Sequence, residues 1–341
     1  MATNVIKTAT NSDIEALKKR QKRMAILLKT VTYVFLAIMA VVVIFPFYWM
    51  IISSLKSYEE YHLVDQFAGQ TVPTFFPTKI MWENYYIALF GGKYMTMEEI
   101  EVGLAALDGS PYQHMLLLQS MITTLGIGVA STILSVGITI IAAFAFGRLQ
   151  FKGRELMFTI LLMTMMIPGE LFTITNYETV TKLHWTYMSS NGETWKIYLS
   201  YVIPFLVSVF YIYLLRNNFK QIPNELYYAA KVDGASDFKY LFKVMVPLAM
   251  PSIISITILK MMGAWNSYIW PNLVSTGLQD GTYMLVSVIL RKNYNGAVEG
   301  MYPFVHLRMA ACVIVSVPLF IVFALFRKYI IRGVSKSGIK G

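Results

Sequence analysis

The chain has 341 residues, of which 56% are hydrophobic, and its mean hydropathy is +0.54. A soluble domain is about 45–50% apolar, so this composition excludes an ordinary soluble protein and indicates a polytopic membrane protein. The net charge of +10 would suit a nucleic-acid ligand only if the basic residues formed one binding surface.

Apolar runs of the length needed to cross a membrane recur along the chain. An α-helix needs roughly 20 residues to span the hydrocarbon core. The runs are Val31–Leu55, Met115–Phe146, Leu156–Tyr177, Ile197–Leu215 and Val305–Phe326, with a further run, Val244–Trp270, interrupted by prolines and polar residues. We predict an all-α membrane protein with six transmembrane helices.

The basic residues are sorted by loop. Segments 1–31, 147–154, 216–243 and 327–341 hold 20 of the 29 Lys and Arg residues. Because cytoplasmic loops retain Lys and Arg, this distribution predicts that both termini are cytoplasmic. The charge therefore reflects topology, and no nucleic-acid partner is expected.

The predicted organisation follows from these spans. The long external insertion is expected to fold on the membrane surface, with a helix from Thr96 to Asp108. The basic N-terminus is either a surface helix near anionic lipid headgroups or a disordered tail. The segments are a basic N-terminal segment 1–31, a first helix 32–56, an external insertion 57–114, a core of five helices 115–330 that includes the cytoplasmic connection 217–243, and a C-terminal tail 331–341.

The connection 217–243 contains a predicted short helix. Pro223 and Asn224 suit a helix start, Glu225 complements the helix dipole in the first turn, and Asp233-Gly234 supplies a stop. A second start follows at Ser236. The spacing places Leu226, Ala229, Ala230 and Asp233 on one face, which two alanines make shallow enough for another protein to approach. From the residues alone, a docking helix and an ordinary amphipathic connection are both open.

A resemblance decides between them. The letters IPNELYYAAKVDGA from Ile222, followed by VPLAMP up to Pro251, resemble the EAA loop of permeases of ATP-binding-cassette (ABC) importers in their carbohydrate-uptake branch. GAWNSYIWP (Gly263–Pro271) and RGVSKSGIKG (Arg332–Gly341) resemble the fifth-span and C-terminal signatures of the same family, and the ending is similar to that of the smaller permease of maltose-type systems.

The resemblance implies a type I ABC importer transmembrane domain in a bacterial or archaeal cytoplasmic membrane. Its partners would be a second related permease, two cytoplasmic ATPase subunits and an external substrate-binding protein. One departure stands out, because Tyr228 replaces the glutamate that gives the loop its name. The implied ATPase-coupling residues are Glu225, Leu226, Tyr228, Ala229, Ala230, Asp233 and Gly234, and the matching tail residues are Gly338, Lys340 and Gly341.

Polar residues inside the predicted spans are candidates for the translocation path, because ionisable groups are costly there. Glu170 follows a predicted break at Pro168-Gly169 and either lines the path or pairs with another helix, for which Lys260 is a candidate partner. Trp265 and Asn266 combine an apolar face with hydrogen-bonding groups and suit a sugar ring, although helix packing through Gly263 and Ala264 explains them equally well.

The chain itself is not expected to be an enzyme. The nearest approach to a P-loop, Gly333–Gly338, is followed by Ile339 where the motif requires lysine. ATP and magnesium are therefore expected in the partner subunits, and this chain should bind no cofactor or metal. Two alternatives remain: a secondary transporter or channel that uses Glu170 and Lys260, and a membrane enzyme, which the scattered histidines disfavour.

Overall fold

The computed structural model describes residues 11–57, 60, 74–90, 116–278, 283–292 and 305–335, without the side chains of residues 11–17, 116, 170 and 330–335. The helix predicted from Thr96 to Asp108 and the tail residues Gly338, Lys340 and Gly341 lie outside these ranges. Most of the predicted external insertion lies outside them as well.

Every regular element in the described ranges is a helix. Short 3₁₀ turns lie at Tyr187–Ser189, Thr194–Lys196 and Ile203–Phe205, and a π-helical turn lies at Leu241–Met245. The α-helices are α1 (Asn11–Ser54), α2 (Glu83–Phe90), α3 (Leu116–Gly147), α4 (Arg154–Thr164), α5 (Gly169–Lys182), α6 (Ile197–Val202), α7 (Val209–Gln221), α8 (Asn224–Val232), α9 (Asp237–Tyr240), α10 (Val246–Leu248), α11 (Met250–Asn266), α12 (Ile269–Val274), α13 (Val286–Lys292) and α14 (Val305–Ser335).

Three of these helices are long and apolar enough to cross a membrane, within Lys18–Ser54, Leu117–Gly147 and Val305–Tyr329. Two further spans are possible where a pair of helices is bent at a short break: Thr194–Phe205 with Val209–Gln221 at 48°, and Asp237–Leu248 with Met250–Asn266 at 80°. The described part of the chain therefore offers three to five candidate spans.

The apolar run Leu156–Tyr177 forms two helices instead of one. Helix α4 ends at Thr164, and α5 begins at Gly169 after Pro168, whose ψ of 133° is extended. A proline also disfavours the helical conformation in the residue before it. The predicted break at Pro168-Gly169 is confirmed, and neither half reaches the roughly 20 residues that one span requires.

The N-terminal basic segment is continuous with the first apolar run. Helix α1 extends over 44 residues from Asn11, so the described part of the basic segment is helical, and its contact with anionic lipid headgroups stays a prediction. From Met24 to Phe47 its large apolar side chains are exposed, as expected for a surface that lipid or another subunit covers.

Two clusters of buried residues hold the helices together. The first joins α6, α11, α12, α13 and α14 through side chains such as Tyr201, Trp265 and Trp270. The second joins α3 and α7 to the turn that follows α9, through Phe144, Phe219, Leu241 and neighbouring side chains. The connection between α7 and α11 is thus packed on the body of the protein.

Candidate functional site

Helix α8 begins where the sequence predicts. It covers Asn224–Val232, with Pro223 (ψ 141°) before it and Glu225 in its first turn. Proline has no backbone N–H group to donate. At the start of a helix this loses no hydrogen bond, because the first N–H groups have no partner within the helix. The predicted start of the helix is confirmed.

The predicted stop is confirmed as well. Gly234 has φ 69°, in the left-handed region that glycine adopts without steric cost. The amide of Gly234 donates to the Lys231 carbonyl at 3.0 Å and that of Ala235 to the Ala230 carbonyl at 2.9 Å, which is a Schellman ending. The Ser236 hydroxyl accepts from the Lys239 amide at 3.3 Å and starts α9, as predicted.

Only part of the predicted face of α8 is exposed. Leu226, Ala229 and Asp233 are exposed, whereas Ala230 is half-buried and packs against the second core cluster. The exposed face is centred instead on Tyr228 and Val232, of which 59% and 88% are accessible. Val232 was not among the predicted coupling residues, although it follows Tyr228 by four residues and therefore shares its side of the helix.

The inner face of α8 is tied to α9. The Tyr227 hydroxyl donates to the Asp237 carboxylate at 2.9 Å, and the Lys231 ammonium lies 2.8 Å from that carboxylate. The hydrogen bonds from Lys231 and Tyr227 lower the pKa of Asp237. The Tyr227 ring also meets the buried Tyr240 ring edge-on at 5.1 Å. These contacts leave the outer face of α8 free while fixing its orientation.

Two buried arginines, neither of them among the predicted functional residues, attach this connection to the long helices. Arg148, directly after α3, donates to the carbonyls of Phe219 and Ile222 and to the Asn224 side chain. Arg216 of α7 donates to the Phe146 carbonyl at 2.9 Å. These bonds join residues 70 or more positions apart, so no local pattern could predict them.

A cavity of about 900 Å³ lies beside α11, and two of the four predicted path residues line it. Lys260 and Asn266 line it, and Gly169 at the start of α5 borders it. The Lys260 ammonium donates to the Phe205 carbonyl at 2.6 Å. Polar and aromatic groups share the lining with apolar ones, among them Ser131, Thr173, Tyr201, Ser208, Tyr211 and Tyr268.

Trp265 lies in the protein core, whereas a side chain that stacks on a sugar would have to line the cavity. Only 6% of it is exposed, and it belongs to the first core cluster. The cavity is lined instead by Trp270, whose indole donates to the Ser200 carbonyl at 2.8 Å. Trp265 is therefore a packing residue.

The remaining path residue is Glu170. Its backbone lies in the first turn of α5, but its side chain lies outside the described part of the chain, so pairing with Lys260 stays a prediction. Among the described residues, no three His, Cys, Asp or Glu side chains come together in a way that would hold a metal ion.

Solved structures and curated proteins resemble the chain over most of its length. A bacterial ABC transporter involved in the import of the acidic polysaccharide alginate has a chain that aligns with a TM-score of 0.68 at 22% identity, over 90% of this chain and 98% of that one. This likeness shows that the two chains share one fold.

Several permeases and one family of transport proteins are also similar in sequence to the chain. A probable ABC transporter permease of Mycoplasma genitalium is 26% identical over 96% of this chain and 93% of its own, and a trehalose/maltose transport permease of Thermococcus litoralis is 28% identical over 89% and 94%. The model of the binding-protein-dependent transport system inner membrane component matches residues 135–336. Because this match covers more than half of the sequence, the chain belongs to that family of membrane permeases.

Proposed function

We propose that the chain forms half of the translocation pathway of an ATP-driven importer and works by alternating access. The observation that carries the proposal is α8, a capped helix whose inner face is bonded to the protein and whose outer face is uncovered. Such a helix can receive a displacement from a partner and pass it on. The chain itself performs no covalent chemistry.

The proposed topology has six transmembrane helices with both termini in the cytoplasm. Helices α4 and α5 together would make the third span, with the break at Pro168 near its middle. The sorting of Lys and Arg supports this orientation, and it places α8 on the cytoplasmic side. The membrane would be the cytoplasmic membrane of a bacterium or archaeon.

The proposed partners are two cytoplasmic ATPases, a second permease of the same family and an external binding protein. ATP and magnesium would bind to the ATPases and not to this chain. One ATPase would receive the outer face of α8, with Tyr228 and Val232 at its centre and Glu225, Leu226, Ala229, Asp233 and Gly234 around them. Ala230 would instead hold α8 in place from its inner side, where it packs against the second core cluster.

The proposed ligand is a sugar or an oligosaccharide. Permeases for arabinooligosaccharides in Bacillus subtilis and for trehalose and maltose in Thermococcus litoralis are among the relatives. The cavity beside α11 supports this choice, since about 900 Å³ suits a small ligand and hydroxyl, amide and ammonium groups line it. Lys260 and Asn266 would contact the ligand there, and Glu170 would lie at the edge of the path.

An assembly experiment tests the proposal with a matched pair of variants. Val232→Arg places charge and bulk at the centre of the outer face of α8. Met188→Arg makes the same change at a residue that is 72% exposed in the 3₁₀ turn Tyr187–Ser189, between α5 and α6, where the proposed topology is external. We expect Val232→Arg to prevent co-purification of the ATPase subunits with the membrane-inserted permease and Met188→Arg to leave it unchanged.

The same preparation separates the proposal from a secondary transporter. Vesicles with the native complex should take up maltose, trehalose or an arabino-oligosaccharide only with the binding protein and internal Mg-ATP, and vanadate should stop uptake. Uptake that continues without the ATPase subunits and ends on addition of a protonophore would refute an ATP-driven importer.

A further inference from the structure

We propose that Arg148 and Arg216 form a reciprocal clasp that makes the coupling helix α8 and the spans α3 and α4 move as one body, with Arg148 as the main positioning residue. The inference rests on the proposed function, because it explains how a displacement of α8 would reach the spans. It concerns residues that neither bind the ligand nor face the ATPase.

Arg148 reaches three points beyond its own helix. One terminal nitrogen donates to the Phe219 carbonyl at 2.8 Å and to the Ile222 carbonyl, and the other donates to the side-chain oxygen of Asn224. The first two acceptors lie at the end of α7, where helix carbonyls lack partners within the helix. Asn224 is the first residue of α8. A single guanidinium therefore fixes the joint between α7 and α8.

Arg216 makes the corresponding connection in the opposite direction. From α7, its Nε donates to the carbonyl of Phe146 near the end of α3, and a terminal nitrogen binds the Glu155 carboxylate of α4 at 2.6 Å. Its guanidinium also lies 3.8 Å from the centre of the Phe158 ring in α4. Helices α3 and α7 thus each supply an arginine to the C-terminal carbonyls of the other.

Burial makes these connections stiff. Arg148 and Arg216 are 8% and 5% exposed, so water does not compete strongly for their acceptors. A cation near a helix C-terminus also interacts favourably with the helix dipole. The two helices touch at this point, since a methyl group added at Gly147 would lie 3.5 Å from the Cβ atom of Phe219.

The planar guanidinium is the chemical requirement for Arg148. Its fork of donors serves acceptors in several fixed directions at once, whereas a lysine ammonium is a compact point charge on a flexible stem. Within the described residues Arg148 has no ion pair, and its bonds go to neutral carbonyl and amide oxygens. This is the arrangement of a mechanical tie between segments.

Spin labels test whether α8 and α3 move together. In a Cys312→Ser background, Phe238→Cys places one label on α9, which the contacts of Asp237 with Tyr227 and Lys231 bond to α8. Ile133→Cys places another on α3, and the two positions are 65% and 66% exposed. The complete complex with its ATPases is measured without nucleotide and after trapping with Mg-ATP and vanadate. We expect a narrow distance distribution between the labels that trapping does not change.

Substitutions at the clasp should allow the two labels to move independently of each other. Arg148→Gln should broaden the distribution and displace it on trapping, while ATP hydrolysis continues. Arg148→Lys should restore part of the native behaviour, and Lys152→Gln, an exposed residue of the same connection that loses the same charge, should behave as the native chain. Asn224→Ala removes only the contact to α8 and provides the milder test if Arg148→Gln does not assemble.

Different experimental outcomes would overturn the clasp and the proposed function. An unchanged distribution in both Arg148→Gln and Asn224→Ala, or a native distance that itself changes on trapping, would overturn the clasp. A native permease that binds no ATPase would overturn the proposed function first, since no nucleotide-dependent movement of α8 would then exist to measure.

Discussion

Gly234 tests the proposed coupling role of α8 most sharply, because the cost of replacing this residue can be worked out from the structure. Its φ is 69°, and a Cβ atom added there would meet nothing within 4 Å. The penalty in the isolated permease is therefore backbone strain without a clash, about 1–2 kcal/mol for an ordinary L-residue. Asn tolerates this conformation better than other residues, and β-branched Val tolerates it worst.

We expect Gly234→Asn to retain nearly native ATP hydrolysis in the assembled complex and Gly234→Val to abolish the stimulation of hydrolysis by ligand and binding protein. Both should insert into the membrane, because the strain is confined to the end of α8. The measurement is the rate of ATP hydrolysis by the complex in lipid nanodiscs, alongside thermal unfolding of the isolated permease.

Gly153 supplies the matched control. Its φ is 82°, a Cβ atom there would also meet nothing within 4 Å, and it lies on the connection 147–154 and not on α8. Gly153→Val should therefore lose a similar amount of stability and keep the stimulation of hydrolysis. If the two valine variants lost stimulation equally, the effect would be one of backbone strain and the assignment of α8 as the coupling helix would fail.

Two further predictions concern Lys260 and Glu155. Lys260→Met removes an ammonium whose hydrogen bond is to the Phe205 carbonyl. The free energy of unfolding should change by less than about 1 kcal/mol, because the loss of this bond is offset by the easier burial of an uncharged side chain. Sugar uptake should fall, and unchanged uptake would exclude Lys260 from the path. The Arg216 guanidinium binds the Glu155 carboxylate at 2.6 Å, but the Glu155 side chain is 58% exposed. Glu155→Gln should therefore lower the free energy of unfolding by less than about 1 kcal/mol at pH 7, as measured by thermal unfolding, and a loss of several kcal/mol would contradict this.

Local signals predicted the parts of the site that depend on a few neighbouring residues. Pro223, Gly234 and Ser236 set the ends of α8 and α9 through their own backbone preferences, and the structure places these ends as expected. The break before α5 also follows from Pro168 alone. These features were accessible from the sequence because each residue type permits few conformations.

Long-range packing decided the rest. Helical spacing placed Trp265 beside Asn266 but could not tell which of them faces the cavity, and the neighbouring helices bury the indole in the core. Ala230 was likewise assigned to the outer face, although Tyr227 and the second core cluster cover that side of α8. From the sequence, Arg148 was only one of the basic residues that predict the topology. Its role in packing could not be predicted, because its acceptors lie 71 and more positions away.

The exchange of glutamate for Tyr228 changes the chemistry expected at the ATPase. Tyr228 and Val232 lie one turn apart on the exposed face of α8, so the centre of the face is aromatic and aliphatic. Within the described residues the carboxylates of Glu225 and Asp233 form no ion pair, and they lie toward the ends of the helix. A receiving surface that fits this helix would therefore be apolar in the middle, where burial contributes most to affinity, with basic groups only at its rim. If α8 docks on an ATPase as proposed, a cleft that presents arginine to the usual glutamate would bury that charge against Tyr228 without an anionic partner. The departure at this position would then favour an ATPase without that arginine.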